Sequence, residues 1–175
     1  MRTYQSQLVL YKIGTQINGT APKSKEELLR LPEASLDNPF KTAALALLVL
    51  CSYKMNKEAC YEMLNVLRGP EPLSVMDKQF LHDRLNGKEY KPYSFFKGAS
   101  VDNGYTPLKP FTITVRQNPY SFTEDNYATL WIKSAGADSE REVKLRKKPS
   151  TGQWFVRDFV CLADIRIPKA EDPWA

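Results

Sequence analysis

The longest apolar run in the chain is Ala43-Ala44-Leu45-Ala46-Leu47-Leu48-Val49-Leu50-Cys51. Asn38-Pro39 stands before it, and proline at a first helical position lacks an N–H that the first turn does not need. Alanine and leucine favour helix, and a helix apolar on every side belongs inside a core. The pattern therefore predicts a buried central helix from Asn38 to Tyr53, with the other elements packed around it. Ser24-Lys25-Glu26-Glu27 has the form of a capping box and opens a short helix that Pro32 stops. Asn56 can cap a third helix, Lys57 to Leu67, with Ala59, Met63, Val66 and Leu67 on its apolar face and Gly69-Pro70 at its end. Ser74 caps a fourth, closed by Gly87, with Met76, Phe80, Leu81 and Leu85 as the expected buried stripe.

After residue 110 the period changes to two. Phe111, Ile113 and Val115 alternate with Thr112, Thr114 and Arg116. Ala128, Leu130 and Ile132 alternate with Tyr127, Thr129, Trp131 and Lys133, and Val143 and Leu145 with Lys144 and Arg146. Each alternation predicts a half-buried strand. Pro149-Ser150-Thr151-Gly152 reads as a hairpin turn into a fourth strand, Gln153 to Phe159. If Lys148 faces Gln153, Leu145 lies opposite Val156 on the buried face and Lys144 opposite Arg157 on the other. Leu8–Ile13 is rich in β formers and can add a further strand. Between the halves, residues 91–109 read as an ordered irregular connection, because its aromatics must pack somewhere. The tail from Ile165 is expected to lie over the surface, pinned by Trp174.

The expected fold is α+β: about four helices over residues 24–90, then a mainly antiparallel sheet of four to five strands over 110–160, as one compact domain spanning 1–175. Composition fits this: 42% of the 175 residues are apolar and 26% charged. A chain of this length can bury enough surface to need neither disulfide nor metal. The three cysteines, Cys51, Cys60 and Cys161, read as reduced, partly buried thiols in a cytosolic protein. The start lacks a signal-peptide layout, and the central apolar run is about half the ~20 residues of a bilayer span. The expectation is a cytoplasmic protein with no membrane role. Asn18-Gly19-Thr20 then reads as a turn only.

Three strings occur together here: Leu36-Asp37-Asn38-Pro39-Phe40-Lys41-Thr42-Ala43-Ala44-Leu45, Asp77-Lys78-Gln79-Phe80-Leu81-His82-Asp83-Arg84-Leu85, and Ser150-Thr151-Gly152-Gln153-Trp154-Phe155. Glu171-Asp172-Pro173-Trp174-Ala175 closes the chain. Over most of residues 24–175 the chain resembles a bacterial family of uncharacterised proteins described only as a domain of unknown function. The resemblance implies a bacterial cytosolic protein, helical in its first half and β in its second. It implies no activity and carries over no catalytic residue.

Chemistry-bearing patterns are few. His82 is the one histidine, so a histidine pair for a metal cannot form, and its neighbours suggest a helix surface or boundary. No cysteine spacing suits a metal, and Gly98 and Gly104 lack the companions of a phosphate loop. No cofactor is expected. Cys51 extends an apolar run that should raise its pKa, so core packing is its expected role. Glu26-Glu27 belongs to a helix start and Glu124-Asp125 to a turn. The densest charge is Lys144, Arg146, Lys147 and Lys148, with Arg157 across the hairpin and Trp131 on a neighbouring strand. Three readings stay open for that face: a solvated surface whose lysines discourage edge pairing, a nucleic-acid or anion site, or a contact with a partner protein. Tyr93, Phe95, Phe96 and Tyr105 either seal the helix–sheet junction or line a pocket there. The leading expectation is a non-enzymatic interaction or ligand-binding module, with a protein partner or a homo-oligomer open. The alternatives are nucleic-acid or anion binding through the hairpin, and a small enzyme around His82 or the 90–105 aromatics.

Overall fold

The computed structural model describes the backbone of residues 8–13 and all of residues 21–175. The Asn18-Gly19-Thr20 turn and the start of the loop expected at 19–23 lie outside the described residues.

Four α-helices lead into the sheet: α1 Lys25–Leu29, α2 Pro39–Leu50, α3 Lys57–Arg68 and α4 Val75–Leu85. Asn38 Oδ1 accepts from Phe40 N (2.9 Å) and Lys41 N (3.2 Å), satisfying two free donors at the start of α2. Residues 42 to 50 of that helix are all buried, as an all-apolar helix requires. Asn56 caps α3 through Ala59 N. At α1 the expected box is only half formed. Ser24 Oγ accepts from Glu27 N, but Glu27 reaches past Ser24 to accept from Lys23 N at 2.8 Å. The full box appears at α4, where Ser74 and Asp77 exchange both bonds.

The strands are β1 Leu8–Ile13, β2 Phe111–Arg116, β3 Tyr127–Ile132, β4 Arg141–Lys148 and β5 Gln153–Val156. They form one antiparallel sheet in the order β1-β2-β3-β4-β5. In the hairpin Lys148 pairs with Gln153 and Leu145 with Val156, the register expected from the turn. The ladder ends at Val156, short of the expected Phe159. Strands β2 and β3 pair over two positions only. Where they part, the 94–97 segment takes up their free groups, with Lys97 N on Thr112 O (2.8 Å) and Ala135 N on Ser94 O (2.9 Å). The edge of β5 is partly closed by Trp154 N on Leu36 O (2.7 Å) and Thr42 Oγ1 on Trp154 O (3.2 Å).

Helix α2 lies against the inner face of the sheet. Ile113, Val115, Ala128, Leu130, Ile132, Val143, Leu145 and Val156 are buried in one cluster with α2 and α3. The other face carries Arg116, Tyr127, Trp131, Lys144 and Arg146, all of them half-buried or exposed. Two anchors expected from the pattern fail. Met76 is 82% exposed, because the first turn of α4 projects beyond the core. Trp174 is 93% exposed. The tail is held instead by buried Ile165 and Pro168 and by Arg166 N on Gly136 O (2.9 Å) and Lys169 N on Val101 O (3.0 Å).

Candidate anion-binding grooves

The connection from α3 to α4 turns around the β5 edge onto the outer sheet face. Its turn depends on Gly69, at φ +64°, whose Cα lies against the Phe155 ring with no room for a side chain. Arg68 fixes the turn from below. It donates to Glu71 O (3.1 Å) and to the Arg157 carbonyl, and its Nη2 lies 3.4 Å from Asp77 Oδ2. With its side chain 10% exposed, Arg68 is a structural cation. Between this turn and the β4–β5 hairpin runs a groove of about 220 Å³. Phe155, Pro70 and Pro149 give it an apolar lining, and Arg146, Lys148 and Arg157 give it charge.

The guanidiniums of Arg157 and Arg146 both lie on the Tyr127 ring, at 4.9 and 5.7 Å from its centroid. Cation–π attraction helps hold a guanidinium over a ring, and its N–H donors can still meet an oxyanion. Arg146 also meets Glu71 at 3.5 Å, with its side chain 55% exposed, so the pair is weak and exchangeable. Lys147 turns to the opposite side of β4, its amine 5.9 Å from the centre of the Trp154 ring.

A second groove, about 430 Å³, opens on the same sheet face where β2 and β3 part. Thr112, Thr114, Arg116, Lys97 and Lys133 line it, with Phe95 and Phe96 behind them. Arg116 is tied to Glu140 at 2.8 Å, and Lys144, between the two grooves, approaches Glu142 at 3.9 Å. Trp131 is half-buried in this middle strip, its indole nitrogen enclosed with no hydrogen-bond partner among the described residues. It is thus less available as a stacking platform than its position on the strand suggests.

A family model matches residues 20–169 of the chain, a span that contains both grooves. The chain belongs to the family described as a domain of unknown function, DUF6935. No curated protein and no solved structure matches it. The match bears out the resemblance as far as a domain of unknown function goes, and it assigns no chemistry. The closing Glu171-to-Ala175 string lies beyond the matched span.

In this DUF6935 chain the four aromatics expected at the junction divide between cavities. Phe95 and Phe96 are buried behind the second groove. Tyr93 and Tyr105 line a third cavity, about 460 Å³, with Tyr90 and Phe111. Their hydroxyls are already used, Tyr93 on Cys51 O (3.0 Å) and Tyr105 on Arg166 O (2.7 Å). His82 is half-buried on α4, with Nδ1 3.5 Å from the Tyr53 hydroxyl. None of the described serines or cysteines hydrogen-bonds to it. Burial pushes the Cys60 and Cys161 thiols up to about 12 and Cys51 well above its ordinary value, which removes the thiolate needed for attack. Among the described residues, no three His, Cys, Asp or Glu side chains gather to hold a metal ion, and no helix is long and apolar enough to cross a membrane. Sequence reasoning found the hairpin cations and put Lys133 on the face of Trp131, but it missed Arg68, Glu71, Lys97 and Glu140. The Gly69-Pro70 stop was the one local signal of the first groove's far wall.

Proposed function

We propose that this protein is a non-enzymatic binding module whose first groove takes an anionic group of a ligand. The observation that carries this reading is the convergence of Arg146, Lys148 and Arg157 over a partly apolar groove beside Glu71. Arg146 and Arg157 both carry their guanidiniums over Tyr127, and guanidinium forks are suited to bidentate recognition of phosphate or carboxylate. Phe155 and the two prolines favour a ligand with an apolar or ring portion beside its charge.

Calorimetry with inorganic phosphate and with a nucleoside monophosphate tests it. Both should bind, the nucleotide more tightly because its ring gains the apolar lining. Lys148→Ala with Arg157→Ala should weaken the nucleotide about tenfold or more, since charged hydrogen bonds are worth roughly 1.5–3 kcal/mol each. Unchanged affinity in a double variant that remains folded by circular dichroism would remove this groove from consideration.

A further inference from the structure

The two grooves share one face of one sheet, and their uncompensated charges sit at its two ends. Glu71, Glu140 and Glu142 each engage one cation on that face, Arg146, Arg116 and Lys144 respectively. Lys148 and Arg157 at one end, and Lys97 and Lys133 at the other, meet no described carboxylate within ion-pair distance. The register connects the ends. Arg116 lies opposite Trp131, Thr129 opposite Lys144, and the Arg157 N–H bonds Lys144 O at 2.9 Å. Arg116, Trp131, Lys144 and Arg157 therefore run diagonally from β2 to β5. That is three inter-strand steps, about 15 Å.

A single small anion cannot reach both ends of such a diagonal. The geometry points to a single-stranded nucleic acid lying across the outer face from the first groove to the second. This rests on the reading of the first groove as an anion site and extends it to a chain of phosphates. A duplex major groove admits a helix or a two-stranded ribbon, whereas the described cations of this face lie along a diagonal that crosses β2, β3, β4 and the end of β5. Phosphates displace the exposed carboxylates from Arg146 and Lys144, pairs that are worth little in water. Half-buried Trp131 offers one ring edge midway. Charge along the backbone dominates, and the binding is sequence-tolerant.

Fluorescence anisotropy on the full chain tests this with labelled oligothymidylates of about three and about ten nucleotides. The longer strand should bind more tightly, with log K falling linearly against log salt. Lys97→Ala with Lys133→Ala should lower that slope by about 1.4, two contacts at ~0.7 each on single strands. The same variant should leave inorganic phosphate binding at the first groove unchanged. Equal affinity for both lengths, or a slope indifferent to the double variant, overturns the path across the sheet while leaving the first groove standing. Equal or tighter binding of a DNA duplex, or of polyglutamate of matched charge, overturns the single-strand assignment. Failure of phosphate and both strands to bind overturns both readings.

Discussion

A methyl group added at Gly69 would land 2.5 Å from Phe155 Cδ1 and Cε1, on a backbone at φ +64°. The ring must move or the turn must open, and either change reshapes the first groove. Gly69→Ala should cost about 1–3 kcal/mol of stability, read by urea unfolding, as overpacking adds to the strain of a side chain at positive φ. Gly152, at φ +74° with no heavy atom within 4 Å of where a methyl would sit, supplies the control. Gly152→Ala has strain without overlap and should cost less. Equal losses at the two sites would mean that Phe155 yields freely and that the turn is not fixed by this contact.

Helix α4 separates what a local pattern conveys from what it does not. Leu81 and Leu85 are fully buried, Phe80 is half-buried, and Met76 stands in solvent beside exposed Val75. The i, i+4 spacing joining Met76 to Phe80 was legible, but where the core ends along the helix axis was not. Leu81→Ala should lose about 2–5 kcal/mol in chemical unfolding. Met76→Ala should stay within about 0.5 kcal/mol. A large loss at Met76 would place it in a contact that its exposure excludes. The same division holds elsewhere. The all-round apolar run of α2 and the β4–β5 register could be read because each depends on neighbours in sequence. The far wall of the first groove could not, because Glu71 meets Arg146 across 75 residues. Nor could the pairing of one hairpin cation: the sequence between Glu142 and Asp158 is free of acids, yet folding brings Glu71 onto Arg146. Trp174 misled for a related reason, since an aromatic near a terminus signals an anchor only if the chain turns it inward.

At the scale of the whole molecule, buried thiols make stability fall at alkaline pH. Cys51, Cys60 and Cys161 are buried thiols, and desolvation raises each above its ordinary value of 9.0, Cys60 and Cys161 to about 12. A group whose folded pKa lies above its unfolded one contributes stability that is complete below the unfolded value. That contribution is lost as pH rises toward the folded value. The window opens near pH 9, and within it each thiol removes about 1.4 kcal/mol per pH unit. Lys91 acts with the opposite sign. Burial first, then Lys88 and Arg84, lower its pKa below 10.5, so the cost of burying its charge fades as pH climbs through that lowered value. Three thiols alone give a fall of about 4 kcal/mol per unit, and the lysine reduces it to about 3 once the pH is above its lowered pKa. Half-buried tyrosines such as Tyr93, pushed up to about 12 by desolvation, add to the fall only above their ordinary value of 10. Urea unfolding in reducing buffer at pH 8 and pH 10 should therefore show a clear loss at the higher pH. Cys60→Ala should start from lower stability, because a packed side chain is trimmed. Its difference between the two pH values should nevertheless be smaller by about 1.4 kcal/mol, one thiol's share of the window. An identical difference in the two proteins would show that Cys60 ionises as easily folded as unfolded, and the cavity around it would then have to admit water.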